Sequence, residues 1–402
     1  MQNNRSRVIW FVALALAFFF ILDPFRLFES NNVPRMRVNS EIEQEMDAYL
    51  ASSPPAPAYV VDLLESHDLV MIGETGYVSE QLEFLADLIP ELDAGGYRHL
   101  GFQYANHADQ DLVDELLTGS SFDEGLADRI LFSHMVILGY EEHRDVFRTA
   151  WQVNRGKAED EEPFRIIALS RSPDYSAIEE QDDVEDPEVL SRVFADGVPD
   201  QIMAETIMDR IVDAGHKGVT YTQTEHAFTD FAQTQYEQTM SERGFPGQRR
   251  AGNLIAERLG DRVATVILHG PIQDTRSRIG YGYPLGGVLD AAYARLPQGA
   301  ASVGFTVPGS PYADAPISSD VIGEGLDEEL TFERFTDGYL LIGQLKNLTP
   351  VTPIPGFITE ENVAEARLQF PGPAPGEVTV ADMNDFISGT AQQMARIFEA
   401  FE

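Results

Sequence analysis

The sequence predicts an α/β fold, with a largely parallel central sheet, helices on both faces and helical insertions. Two observations carry that expectation. From about Tyr59 onward, short apolar runs alternate with amphipathic stretches, which is how strands laid against helices read in sequence. The first two runs are also joined by a helical stretch, the kind of crossover that parallel strands require.

Composition narrows the function classes. The 402 residues hold 66 Asp and Glu against 28 Lys and Arg, a net charge of −38. So acidic a chain repels phosphate backbones, so no nucleic-acid partner is expected. At 43% apolar residues, there is ample material for a core. Cysteine is absent, which excludes disulfides, thiolate metal sites and a Cys nucleophile. Among the basic residues only Lys157, Lys217 and Lys346 are lysines. An acidic excess with scarce lysine suits a saline medium, where ions screen the self-repulsion.

At the N-terminus, Arg5 and Arg7 precede an uninterrupted apolar run, Val8 to Leu22, closed by Asp23-Pro24. No small-x-small cleavage site follows. Residues 1–22 are therefore expected to form an uncleaved signal anchor. That makes the chain a single-pass protein of the inner (cytoplasmic) membrane, its domain facing the periplasm or exterior. Residues 23–57, ending in Ser52-Ser53-Pro54-Pro55-Ala56-Pro57, read as a Pro-rich stalk.

Residues 58–370 are expected to form the α/β domain. Asp68–Gly73 is its first strand. Ser79 opens a helix with Leu82, Leu85, Ala86, Ile89 and Leu92 at helical spacing, kinked at Pro90 and ended by Gly95-Gly96. His99–Gln103 is the second strand. Helices are expected over 108–118, 122–135 and 140–154, and Arg165–Leu169 is the third strand. Helices near 188–195 and 199–214 lead to the strand Gly218–Thr222. A helix from about Ala227 and another near 248–259 precede the strand Arg262–Leu268. Later strands fall at 301–307 and 338–343. Residues 371–402 comprise a Pro-Gly linker and a final helix with Met383, Phe386, Ile387, Met394, Ile397 and Phe401 on one face.

In such sheets ligands bind at the carboxyl ends of the strands. There the sequence delivers Glu74, then Gln103, Ser170-Arg171, Glu225-His226 and His269. Taken singly, Glu74 also suits a helix cap, and His269 suits a histidine before a turn. Their shared position is what points to a site. Asp109, just beyond Gln103, joins the candidates, although it also suits a helix N-terminus. The glycine-rich run Gly280–Gly287 lacks the G-x-G-x-x-G spacing of a dinucleotide loop and is expected to roof this rim. His134 and His143 sit inside helical stretches and read as structural. No G-x-S-x-G elbow is present, which argues against an ordinary serine hydrolase.

Leu69-Val70-Met71-Ile72-Gly73-Glu74, with Leu100-Gly101-Phe102-Gln103 one helix later, resembles the erythromycin esterase, ChaN-like haem-uptake and Tiki superfamily. Thr222-Gln223-Thr224-Glu225-His226 and Val266-Ile267-Leu268-His269 are similar to that group's later histidine strands. The order matches across about residues 59–300. The departures are specific. The family's Gly-Glu-x-His or Gly-Glu-x-x-His becomes Gly73-Glu74-Thr75-Gly76-Tyr77, and the second-strand glutamate becomes Gln103. In the esterases the missing histidine is the base that activates water.

The resemblance thus implies a hydrolase-like protein acting on a small ester or amide. In it Glu74 and either His226 or His269 position and activate water, Gln103 orients it or the substrate, and Tyr77, Asp109, Arg171 and Glu225 line the ligand site. One alternative is a small-ligand or haem-binding protein that has lost the catalytic histidine. Tyrosine is a known haem ligand, although Tyr77 equally fits as a ring packed under its loop. A divalent metal held by Glu74, His226 and His269 is a further cofactor option. The remaining alternative is an inactive envelope scaffold that docks a partner through its C-terminal helix.

Overall fold

The computed structural model describes residues 40–179, 183, 186–195, 197–242, 249–274, 277, 279–296, 302–317, 330–369 and 378–401. The expected anchor and the 371–376 linker lie outside these residues. Among them no helix is long and apolar enough to cross a membrane.

Seven strands form one sheet: β1 (Leu69–Glu74), β2 (His99–Asn106), β3 (Arg165–Ser170), β4 (Gly218–Gln223), β5 (Val263–Leu268), β8 (Val303–Thr306) and β11 (Gly338–Leu341). Their order is β3-β2-β4-β1-β5-β11-β8. All neighbouring pairs are parallel except β8 with β11. An antiparallel edge strand on a parallel sheet is a common variation. β1 therefore occupies the centre. The short β6 (Ile272–Gln273) and β7 (Tyr281–Gly282) pair with each other beyond the sheet, as do β9 (Pro316–Ile317) and β10 (Leu330–Thr331).

Side chains alternate across the sheet with period two. Val70 and Ile72 of β1 pack with Phe102, Tyr104, Tyr221 and Leu268 beneath four helices. These are α2 (Ala56–Ser66), α3 (Ser79–Ala94), α5 (Glu124–His134) and α6 (Glu141–Arg155); α4 (Gln110–Thr118) completes the layer. Leu69 and Met71 face the other way. They meet α8 (Pro199–Ile207) and α11 (Ala251–Leu259) through Met203, Ile207, Ile255 and Leu259.

Of the expected stalk, residues 23–39 lie outside the described residues, and residues 40–57 take a different form. Ser40–Ser52 is helix α1, with Met46 and Leu50 buried among Val303, Phe305 and Tyr312. Pro54 and Pro55 are not a spacer either. Gly304 N–H donates to the Pro54 carbonyl at 3.0 Å, Ala56 N–H donates to the Ser302 carbonyl at 3.0 Å, and Pro55 bridges Val303. The proline segment thereby covers the outer edge of β8, which would otherwise present unpaired backbone groups. Pro57 then sits in the first turn of α2, where a missing N–H is harmless.

Three smaller differences follow the same logic of local geometry. The expected helix from Ala227 divides into α9 (Thr224–Ala227) and α10 (Thr234–Glu242), with α7 (Pro187–Val193) lying earlier in the chain. The helix expected over 199–214 continues from α8 as a π turn, Met208–Val212. The C-terminal helix α15 (Val380–Glu399) follows α12 (Val288–Arg295), α13 (Phe332–Phe335) and α14 (Val363–Ala366) and packs on the rest of the chain. Met383, Ile387 and Ala391 join the main core, while Met394, Ile397 and Phe398 pack with Val78, Tyr281 and Tyr283. Its apolar face is covered by its own chain.

Tyr59 of α2 lies directly over two glycines. A Cβ at Gly304 would come 2.5 Å from the Tyr59 Cβ, and one at Gly338 would come 2.5 Å from its hydroxyl. Gly304→Ala is therefore expected to lower stability by about 1–3 kcal/mol through overpacking, read as a shift in the urea midpoint with an unchanged slope. An unchanged midpoint would mean that α2 is not seated on the sheet as described.

Candidate active site

Glu74 ends β1, the central strand, and only 3% of its surface is exposed. Alternation sends its side chain to the same face as Val70 and Ile72. There the Tyr104 hydroxyl donates to Oε1, and the Gly76 N–H donates to Oε2 at 2.5 Å. Burial pushes the carboxyl up to about 7. The Tyr104 and Gly76 hydrogen bonds oppose that rise, and the nearby Glu225 charge adds to it. Near neutral pH this group exists in both forms, which is what acid–base work requires.

The loop that follows is under conformational constraint. Gly76 has φ +86° and Tyr77, which has a Cβ, has φ +60°. A non-glycine residue there costs free energy and persists only where its surroundings hold it. They do so here. Val351 N–H donates to the Tyr77 carbonyl at 3.2 Å, Ser79 N–H donates to the Thr349 carbonyl at 2.9 Å, and Glu80 accepts from Thr349. The half-buried Tyr77 ring meets Tyr140 edge-on, with centroids 5.8 Å apart. It also packs in the cluster with Tyr281 and Tyr283, so the glycine-rich run does come to lie beside the Glu74 loop.

Inside this face lies a set of polar groups that sequence reasoning passed over or, for His134 and His143, read as structural. Tyr104 packs against His143 of α6 with centroids 4.6 Å apart, and against Tyr221 of β4 at 6.3 Å. The Tyr221 hydroxyl and the Nδ1 atoms of His143 and His134 are buried without a hydrogen-bond partner among the described residues. Burial lowers His143 to about 3 and His134 to about 4, so both rings are neutral at physiological pH. Burial pushes the Tyr104 and Tyr221 hydroxyls far up, so both remain donors. Buried polar atoms are ordinarily satisfied. Several orphans beside one ionisable carboxyl mark a place for water or a polar ligand.

The other expected site residues have definite positions. Gln103 does not reach Glu74. Its Oε1 accepts the Gln223 N–H at 2.7 Å, fastening the end of β2 to the end of β4. Gln223, missed in the sequence, is opposite Glu74 in the β1–β4 register, and its Nε2 lies near Gly76. His226 donates from Nδ1 to Asp200 Oδ1 at 2.6 Å, and Asp200 also receives the Ala251 N–H and pairs with Arg250. Burial alone would lower His226, but the Asp200 charge and hydrogen bond override it and raise the ring. The Glu225 charge raises both His226 and Glu74, so Glu225 stands electrostatically between them. Arg171 is half-buried beyond β3. Asp109 precedes α4, and its Oδ2 is buried without a hydrogen-bond partner among the described residues.

His269 departs furthest from expectation. In the alternation of β5 it follows Val263, Thr265 and Ile267, so it faces away from Glu74. Its Nδ1 is 2.9 Å from the Tyr339 hydroxyl, and its Nε2 is 3.1 Å from Asp290 Oδ2, an ion-pair distance without hydrogen-bond alignment. Glu74, His226 and His269 thus do not share a metal position. Strand alternation separates Glu74 from His269, and the two imidazoles are engaged elsewhere, His226 by Asp200 and His269 by the Tyr339 hydroxyl. Among the described residues, the group whose ligand atoms lie within 4.8 Å of one another is His99, Glu162 and His216, elsewhere in the fold.

No family model and no curated protein matches the sequence. Solved structures do resemble it in three dimensions. A succinoglycan biosynthesis protein aligns with TM-score 0.52 at 10% identity, over 78% of this chain and 98% of that one. A protein from Bacillus cereus aligns with TM-score 0.49 at 11% identity, over 79% and 100%. An erythromycin esterase mutant in its open conformation aligns with TM-score 0.45 at 11% identity, over 82% and 99%. What the first of these likenesses shows is a shared α/β fold.

Proposed function

We propose that this chain is a divergent member of the erythromycin esterase, ChaN-like and Tiki superfamily that hydrolyses a small ester or amide, with Glu74 as its acid–base residue. One observation carries the proposal: a buried carboxyl at the end of the central strand, held by two donors and raised to about 7. In its ionised form Glu74 takes a proton from water as the water oxygen adds to the substrate carbonyl. The protonated carboxyl then returns that proton to the leaving oxygen or nitrogen as the tetrahedral intermediate collapses. Tyr104 and the Gly76 N–H orient the carboxylate. His226, oriented and kept protonatable by Asp200, supplies a positive charge near the rim for the developing oxyanion. The role that the family gives to a histidine near Tyr77 is thereby divided between Glu74 and the His226–Asp200 pair.

The test is hydrolysis of a panel of chromogenic small esters and amides by the full-length chain. Activity is expected to rise with pH through an inflection near 7 as Glu74 ionises. No turnover across the panel, or turnover with no such inflection, would count against Glu74.

The proposal includes the compartment. Residues 1–22, with Arg5 and Arg7 ahead of the apolar run, anchor the chain in the cytoplasmic membrane and leave the α/β domain outside. Protease added to intact spheroplasts is then expected to digest the domain. Full protection would place it inside.

A further inference from the structure

We propose that His99, His216 and Glu162 bind a divalent transition-metal ion of the zinc class at the amino-terminal end of the sheet. One ligand atom from each residue lies within 4.8 Å of the others. A small ion bound at roughly 2.0–2.2 Å from each draws such a set together with only side-chain movement. Two imidazoles and one carboxylate select zinc, nickel or copper over the hard ions magnesium and calcium.

The three ligands sit at the starts of three neighbouring strands. His99 is the first residue of β2, His216 precedes β4 by two positions, and Glu162 precedes β3 by three. In the order β3-β2-β4, the ion joins the starts of adjacent strands. Backbone packing already holds the histidines at that point. His216 N–H donates to the Ile211 carbonyl at 2.9 Å, and the start of β4 passes so close that a Cβ at Gly218 would lie 2.5 Å from the His99 carbonyl. The two rings consequently stack with centroids 4.0 Å apart and planes 19° from parallel.

Glu162 is free to change partners. Its present contact is Arg98 at 3.5 Å, and Arg98 keeps Asp93 at 3.2 Å if Glu162 turns to an ion. His99 is buried, His216 half-buried and Glu162 exposed, so the position opens on one side to water or an incoming ion. Glu74 lies at the opposite, carboxyl end of the strands. The ion therefore clamps strands and takes no part in hydrolysis.

The test uses the full-length chain, stripped with EDTA and titrated with zinc chloride in excess magnesium, which fills carboxylate-only sites. One zinc per chain is expected to bind at this position and raise the melting temperature. His216→Ala is expected to weaken that binding by more than the roughly 10–100-fold typical of losing an outer partner. Glu162→Gln, at an exposed position, is expected to weaken it less while leaving the apo melting temperature unchanged. Zinc binding of equal affinity in wild type and His216→Ala, or no zinc-dependent rise in wild type, would overturn the proposal.

Discussion

Replacing Glu74 by glutamine is expected to abolish hydrolysis and to stabilise the protein at once. Removing a group that transfers a proton in the transition state costs on the order of 10²–10⁴-fold in rate. The stability effect has the opposite sign. Burial raises the Glu74 carboxyl from 4.5 in the unfolded chain to about 7 in the folded one. The folded state therefore holds its proton over a range where the unfolded state has lost it. Stability falls as pH rises from about 4.5 to about 7 and then levels off, with a total loss of about 3 kcal/mol. Glutamine never ionises, so the variant escapes that loss. Its amide also matches the site, with Oε1 accepting the Gly76 N–H and Nε2 donating to a turned Tyr104 hydroxyl. Urea unfolding at both ends of this pH range measures the effect. A variant less stable than wild type above pH 7, or one that keeps its activity, would show that Glu74 is a structural group. The coupled result is the usual mark of a residue kept for function at a cost to stability.

Much of the sheet was legible because β1, β2, β3, β4 and β5 are short apolar runs bounded by helical segments. What could not be read was the face each strand-end residue takes. Leu69 and Met71 are as apolar as Val70 and Ile72, since both sides of a parallel sheet are buried. The sequence therefore holds no contrast that assigns Glu74 to one face and His269 to the other. Period two does fix their relative parity once the register is known, but that register comes from β1 pairing directly with β5, two strands far apart in the chain.

Tyr104 and Tyr221 escaped notice for the same reason. Each reads as an apolar strand position until the register brings its ring to the Glu74 face. His143 was hidden by an amphipathic helix in which a buried histidine resembles any other core residue. The proline run misled for a different reason. Ser52-Ser53-Pro54-Pro55 has the composition of a spacer, and only the edge of β8, far away in the chain, gives it a task.

Removing the Asp200 carboxylate is expected to have the largest effect on stability. Asp200 is 3% exposed and accepts from His226 Nδ1 and the Ala251 N–H, while Arg250 Nη1 lies 3.4 Å from it. Burial by itself would raise this carboxyl, but His226, Arg250 and the Ala251 amide together hold it below its usual 3.8. His226 is held above its usual 6.5. The two shifts give a window. The aspartate's contribution is present above 3.8 and fades as pH falls through its depressed value. The histidine's is complete below 6.5 and fades as pH rises through its elevated value. Within those limits, Asp200→Ala takes the shared buried carboxylate away from two half-buried cationic side chains and an amide, at the lower end of the roughly 3–5 kcal/mol that breaking a buried pair costs. The cost shrinks at higher pH, where His226 is neutral in both proteins, but does not vanish, because Arg250 and the Ala251 N–H still lose the carboxylate. Asp200→Asn, which keeps an acceptor for Nδ1, is expected to fall between. Urea midpoints for the three proteins, measured inside the window and well above it, test the assignment. If the Asp200→Ala deficit is the same at both pH values, His226 is not charged in the folded state. The oxyanion role given to it then fails, even if Glu74 keeps its own.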